Sequence, residues 1–145
     1  MMQKPNLVGI NHVALEVGNI EEALSFYEEI FSFKLRGKGK SMAFIDLGDQ
    51  FLALMKSENT VPDKGRHFGL VVDNRNNVKE LAIKAGAKLI DGQFLDFLDP
   101  WGNRIQVVEY ADIQFTKAPQ VLKGMHLDIK KNQNALKELK DKGMN

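Results

Sequence analysis

The chain has 145 residues, of which 43% are hydrophobic and 27% charged, values that fit one globular domain over residues 1–145. Twenty basic and nineteen acidic residues give a formal charge of +1, so no global field favours nucleic acid or an anionic membrane. There are no cysteines, which excludes disulfides and thiolate metal ligands. The sequence shows neither a secretion signal nor a long apolar run, and we therefore expect a cytoplasmic protein.

The first strand-like run contains a histidine at its start. Apolar and other side chains alternate along residues 10–17, a pattern that predicts a half-buried strand. Asn19, followed three residues later by Glu22, is typical of the start of a helix, and an apolar stripe continues to Phe31. Two further strands are predicted at residues 42–47 and 51–56, joined by a short turn. Because three strands follow the helix in the second half of the chain, residues 8–56 are interpreted as a first βαβββ unit.

The second half of the chain repeats this order. A strand is predicted at 67–72, followed by a helix that begins near Val78 and ends at Gly86. Three short strands follow, and the last two are joined by a segment typical of a tight turn, Asp99-Pro100-Trp101-Gly102-Asn103. Residues 66–110 therefore form a second βαβββ unit.

The two first strands are also similar in sequence. His, Leu, Val and Asn recur 55 residues apart, at positions 12 and 67, 15 and 70, 17 and 72, and 19 and 74. Such self-similarity indicates a duplicated supersecondary unit. We predict an α+β fold in which two βαβββ modules form a curled mixed sheet that encloses a cup, with the helices outside. The two histidines would then line one cavity.

These features resemble the vicinal oxygen chelate superfamily, which includes glyoxalase I, extradiol dioxygenases, fosfomycin-resistance enzymes and bleomycin-resistance proteins. The resemblance covers residues 8 to 110 and is carried by NHVALEV at 11–17, FYEEIF at 26–31, HFGLVVD at 67–73 and DPWGNRI at 99–105. It implies the paired-module fold and a small organic molecule that is bound or transformed in the cup. It does not select one activity, because this fold hosts lyases, isomerases, dioxygenases, transferases and binding proteins.

The resemblance also implies a metal site on the inner face of the cup. Its candidate ligands here are His12, His67 and Gln106, which would hold one divalent ion such as Zn, Ni, Mn or Fe. Relatives usually place glutamates where this chain has Ala53 and Gln106. Two neutral imidazoles and an amide do not balance the charge of a divalent cation, so we expect a weakened site. Glu109 is not a replacement, since strand alternation places it on the face opposite Gln106.

A candidate ligand pocket follows from the same alternation. Its predicted residues share the inner faces of the strands: Ala14, Glu16, Phe51, Ala53, Met55, Gly69, Arg104 and Val108. The alternative is that these residues simply fill the space between the modules. No catalytic residue can be named. The missing acids argue against ordinary glyoxalase I activity, which needs a metal-bound base.

Two functions therefore stay open. The first is a glyoxalase-type protein with a weakened metal site, whether a lyase, an isomerase or a dioxygenase. The second is a metal-free protein that binds an antibiotic-like small molecule without catalysis. Because relatives commonly form dimers, the resemblance also implies a homodimer.

Residues 111–145 extend beyond the second module. Ala135, Leu136 and Leu139 predict a short amphipathic helix in this extension. Residues 124–129 resemble the opening of a third repeat, but no further strands follow. We interpret the extension as a packing appendage, with His126 at the surface, and as a candidate contact between chains.

Overall fold

The first module is a strand, a helix and three further strands, two of which the sequence pattern located. In the computed structural model, which describes residues 2–145, these elements are β1 (His12–Val17), α1 (Ile20–Ile30), β2 (Lys34–Lys38), β3 (Met42–Asp46) and β4 (Phe51–Lys56). They form a four-stranded mixed sheet in the order β1-β4-β3-β2, with β1 parallel to β4. The sequence pattern did not locate β2. This strand is almost entirely exposed, so its residues show no alternation of apolar and polar side chains.

The second module repeats this architecture. It consists of β5 (Phe68–Val72), α2 (Val78–Ala85), β6 (Lys88–Ile90), β7 (Asp96–Leu98) and β8 (Arg104–Glu109). Its sheet has the order β5-β8-β7-β6, with β5 parallel to β8. The α+β fold with two duplicated modules is confirmed. The strands form two separate open sheets within the chain.

The C-terminal extension contains more structure than the single helix that we predicted. A short 3-10 turn (Tyr110–Asp112) is followed by α3 (Pro119–Gly124) and α4 (Gln133–Asp141). His126 is exposed, as expected, and adopts a left-handed backbone with φ 59°. Within residues 2–145, no helix is long and apolar enough to span a bilayer.

The predicted helix ends are confirmed by their hydrogen bonds. The Asn19 side chain accepts the backbone N–H of Glu22 at 2.9 Å, which satisfies a free donor of the first turn of α1. Gly86 ends α2 in the left-handed region at φ 97°, a conformation that costs glycine little. Its N–H is donated to the carbonyl groups of Ala82 and Ile83.

One hydrophobic core spans both modules. Helix α1 buries six side chains and packs against α2 and against the second sheet, where the rings of Phe26 and Phe97 lie 6.2 Å apart. In β1, Leu15 and Val17 belong to this core, which confirms the predicted apolar face. The alternate β1 side chains are exposed, namely His12, Ala14 and Glu16. The helices therefore occupy one side of each sheet and leave the histidine faces open.

A buried carboxylate connects the modules. Asp99, in the turn between β7 and β8, is only 4% exposed and accepts the Tyr27 hydroxyl of α1 at 2.7 Å. It also accepts the backbone N–H groups of Trp101 and Asn103 and the Asn103 side-chain amide. That amide in turn donates to the Glu16 carbonyl of β1 at 2.9 Å. The turn of the second module is thus bonded to both the helix and the first strand of the first module.

The first prediction concerns the Tyr27 hydroxyl. We expect Tyr27→Phe to lower the free energy of unfolding by about 1.5–3 kcal/mol at neutral pH, because it removes a hydrogen bond to a buried carboxylate. Urea denaturation measures this change. Tyr110→Phe is the matched control, since it removes a hydroxyl from the other tyrosine of the chain, and should change stability much less.

The stabilisation that the Tyr27 hydroxyl provides should also depend on pH. Burial, followed by the nearby Asp99 carboxylate, raises the pKa of Tyr27 well above its ordinary value of 10.0. A raised pKa in the folded state means that the stabilisation is complete below about pH 10 and is lost as the pH rises further. The stability difference between wild type and Tyr27→Phe should therefore shrink above that pH. A constant difference up to pH 11 would contradict the assignment.

Candidate functional site

Both repeated histidines line a single cavity. The cavity has a volume of about 460 Å³ and extends from the start of β1 along the whole of β5. His12 is the first residue of β1, and His67 directly precedes β5. The duplicated modules thus place equivalent side chains around one hollow.

Each of the two imidazole rings uses its Nδ1 atom in a hydrogen bond. The Nδ1 atom of His12 lies 2.9 Å from the side-chain oxygen of Asn11, and that of His67 lies 2.8 Å from the Gly65 carbonyl oxygen. Because these oxygens only accept, Nδ1 carries the proton in each neutral ring. The Nε2 atom is then left with a free lone pair. A histidine held in this way can bind a metal ion or accept a proton from a ligand.

An aromatic platform supports His12. Its ring stacks on Phe51 of β4, with centroids 4.6 Å apart and planes within 9°. The guanidinium carbon of Arg36 lies 4.4 Å from the centre of the same Phe51 ring, a cation–π geometry. Arg36 is the extra residue at an irregularity of β2 between Leu35 and Gly37. Sequence analysis missed Arg36, because such an irregularity changes the direction of a side chain without a sequence signal.

On the inner face of the second sheet, Arg104 is engaged in an ion pair. Its Nε and Nη2 atoms each lie 2.9 Å from one carboxylate oxygen of Asp96. Asp96 is 6% exposed, and its other oxygen has no hydrogen-bond partner within residues 2–145. Asp96 also lies directly across from Gln106 in the sheet. The guanidinium predicted to contact a ligand is thus already paired with a buried carboxylate.

The donor set fits a divalent cation only in part. The two histidines present suitable nitrogens, but in the described part of the chain no three His, Asp or Glu side chains are grouped to hold a metal. Glu109 instead accepts the backbone N–H of Arg75 at 2.8 Å. Gln106 pairs in register with Gly69 on the inner face of the second sheet. These residues do not form a complete ligand set, because no carboxylate joins the two imidazoles.

The predicted pocket residues fall into three groups. Phe51 and Gly69 line the cavity with the two histidines. Three others lie exposed on the open face of the first sheet: Ala14, Glu16 and Met55. The remaining three are more enclosed, with Ala53 buried and Arg104 and Val108 half-buried.

The C-terminal extension forms a further part of the cavity. Six residues of the segment 110–129 line the cavity, and we call these six the C-terminal wall: Tyr110, Phe115, Lys117, Met125, Leu127 and Ile129. Sequence analysis missed this contribution, since it lies outside the duplicated modules. The alternation of apolar residues at 125, 127 and 129 was its one available signal.

The fold and the repeated histidines define a two-module βαβββ protein with one cavity lined by both modules. Residues 9–107 match the family model of the Glyoxalase/Bleomycin resistance protein/Dioxygenase superfamily, which is more than half of the chain. The protein therefore belongs to this family, the vicinal oxygen chelate superfamily.

Among curated proteins, the chain is similar to the metallothiol transferases FosB. It is 26% identical over 111 residues to FosB of Lysinibacillus sphaericus, covering 67% of this chain and 79% of that protein. A shorter match to FosB of Staphylococcus epidermidis is 35% identical over 51 residues, covering 35% of this chain and 37% of that protein.

Solved structures share the fold. A putative glyoxalase family protein from Bacillus anthracis has a TM-score of 0.58 at 26% identity, covering 74% of this chain and 98% of that one. A mutant of the fosfomycin resistance protein FosX from Listeria monocytogenes, solved with Mn(II) and a dihydroxypropylphosphonic acid, has a TM-score of 0.60. At 13% identity, over 70% of this chain and 92% of that one, this second likeness shows the fold alone.

The second prediction concerns the buried ion pair. We expect Asp96→Ala to lower the free energy of unfolding by about 2–4 kcal/mol, because it leaves the half-buried Arg104 without its partner. The control is Lys137→Ala, which removes an ion pair to Asp141 with both side chains largely exposed. That variant should lose less than about 1 kcal/mol. Equal losses in urea denaturation would show that the buried pair is not special.

Proposed function

We propose that this protein binds a small organic molecule between its modules, in a glyoxalase-family site whose metal affinity is weakened. One observation carries the proposal: two equivalent histidines line one cavity with their Nε2 atoms free. A volume of about 460 Å³ is of the size that accommodates small ligands. The ligand would contact Phe51 and Gly69, with the other predicted inner-face residues nearby.

The metal part of the proposal concerns His12, His67 and Gln106. Two neutral imidazoles and an amide oxygen can hold a divalent ion such as Zn, Ni, Mn or Fe, but they offer it no compensating charge. We therefore propose weak metal binding that involves both histidines. The Nε2 atom of either ring is the atom that would accept a proton from a bound ligand.

A metal-free binding protein is the second candidate. The specific observation in its favour is that the cavity supplies no third charged ligand for a metal. Asp96 and Glu109 are engaged by Arg104 and by the backbone of Arg75, and Asp73, which lines the cavity, does not form a three-residue metal group with the histidines within residues 2–145. Fosfomycin is the first compound to test, because the FosX structures are those of fosfomycin resistance proteins. Binding without turnover, and without metal, would favour this second function.

The third prediction is a metal titration by calorimetry with Mn(II) and Zn(II). We expect weak binding to the wild type and its loss in both His12→Ala and His67→Ala. Gln106→Glu should strengthen binding by at least about tenfold, since even outer-shell partners change metal affinity on that scale. Gln120→Glu is the matched control, because it adds the same charge at an exposed position of α3.

Two outcomes decide between the candidate functions. If the histidine variants bind metal as the wild type does, and Gln106→Glu behaves as Gln120→Glu does, the metal site is wrong. A wild type that binds fosfomycin or another small molecule, but no metal, supports the metal-free binding protein.

We also propose a homodimer. In it, the second copy covers the exposed edge of β1 and the adjoining open face of the first sheet. Within the described residues, β1 pairs only with β4, and β5 only with β8, so one edge of each strand is open. Natural proteins generally cover such edges. Met55 is 41% exposed on the same open face.

The fourth prediction tests this arrangement. Light scattering should give twice the chain mass for the wild type and the single chain mass for Met55→Glu, which places a charge in the proposed interface. Met144→Glu is the control, because Met144 is exposed near the C-terminus, and should stay dimeric. A monomeric wild type at micromolar concentration would rule out the dimer.

A further inference from the structure

We propose that the C-terminal wall selects the ligand, and that this ligand is a mainly apolar organic molecule with its polar group at one end. The inference rests on the proposed function, because it assumes that the cavity binds a ligand. It goes further by assigning a role to residues outside the family match, which ends at residue 107. It also names a class of ligand.

The wall presents alternate side chains to the cavity. Phe115 and Lys117 line it from one segment, and Met125, Leu127 and Ile129 line it from another, which begins with a turn at Met125 and His126. These five side chains are half-buried, whereas the intervening residues are exposed. The covered face of the second segment is entirely apolar.

One end of the wall is fixed to the first module. Lys117 is 9% exposed and forms an ion pair with Asp49, in the turn between β3 and β4. Met125 packs over Gly48 in that turn, where an added Cβ would lie 2.5 Å from the methionine sulfur. Gly48 also has a φ of 86°, so a larger residue is disfavoured there on two grounds.

The other end of the wall is fixed to the end of the second module. The Lys131 ammonium donates to the backbone carbonyls of Tyr110, at 2.7 Å, and Phe115, and lies 3.4 Å from the centre of the Tyr110 ring. The backbone N–H of Asn132 is donated to the Ala111 carbonyl at 2.8 Å. The wall is therefore held at both ends before any ligand arrives, which lowers the entropy cost of binding.

The opposite side of the cavity is the open edge of β5. All five residues of this strand line the cavity, because β5 has a hydrogen-bonded neighbour on one side only. Phe68, Leu70 and Val72 are half-buried there, as are the apolar residues of the wall. Two incompletely buried apolar surfaces thus share one hollow, and a ligand between them would remove both from water.

The polar groups of the cavity indicate how the ligand is oriented. Asn11, His12 and Gln50 lie together at the start of β1, where the Gln50 amide donates to the Ile10 carbonyl. His67 and Asp73 line the cavity at the two ends of β5. The one ammonium in the lining, that of Lys117, is already paired with Asp49. An aryl or branched alkyl compound with one polar group matches the apolar wall together with the polar cluster at His12. A small, highly charged phosphonate would leave the apolar wall uncovered.

The fifth prediction uses the neutral fluorescent probe N-phenyl-1-naphthylamine on the full chain. We expect the probe to bind the wild type and to bind Leu127→Asp at least about tenfold more weakly, since a charge would then face the apolar part of the cavity. Leu136→Asp is the matched control, because Leu136 is 48% exposed on α4 and does not line the cavity. It should bind the probe within about twofold of the wild type.

A second variant covers the case in which Leu127→Asp displaces the wall. Ile129→Trp fills the cavity without adding charge and should also weaken probe binding, while its urea denaturation curve stays close to that of the wild type. Probe binding that is unchanged in both wall variants would overturn the inference.

A parallel titration with methylphosphonate separates this inference from the proposed function. If methylphosphonate binds in a manner that depends on His12, while the probe does not bind, the inference is wrong and the proposed function stands. If neither compound binds, both are contradicted. Probe binding that depends on Leu127 and Ile129, with no binding of methylphosphonate, supports the inference.

Discussion

The Asp99 carboxylate, buried at the junction of the two modules, determines how they are oriented. Burial of a charge is costly unless its oxygens are hydrogen-bonded, and here four donors satisfy them. Two of these donors belong to Asn103, whose amide also bonds the end of β1 at the Glu16 carbonyl. Since Tyr27 brings α1 to the same carboxylate, the position of the strand that begins at His12 is tied to the second module.

This orientation explains why the site is open. Both helices pack into the core that the modules share, so each sheet turns its other face away from the core. The histidines lie at the starts of the open strands β1 and β5, and the space between them is bounded on its far side by the C-terminal wall. The cavity therefore depends on three parts of the chain: the starts of two duplicated strands, where the imidazoles lie, and an appended segment, which supplies apolar surface.

The sequence predicted the helices and most strands of the duplicated modules. It did not predict the side-chain directions and pairings that depend on strand register. The strand–helix order, the Asn19 and Gly86 helix ends and the buried face of β1 follow from short-range patterns that tertiary contacts reinforce. The direction of Arg36 depends on an irregularity in β2, and the pairing of Arg104 with Asp96 depends on the register of β7 and β8. Neither can be read from residue spacing.

The preference of the cavity for an apolar ligand follows from the positions at which charged side chains are missing or already paired. At the inner-face positions where the resemblance implies glutamates, this chain has Ala53 and Gln106, and the nearby Asp96 is neutralised by Arg104. The C-terminal wall adds apolar side chains and one lysine that is already paired with Asp49. Both features lower the charge available to a ligand, so they act in the same direction. A polar ligand held through a metal would gain little from such a cavity, whereas an apolar ligand oriented by one imidazole would gain from the wall and from the apolar residues of β5.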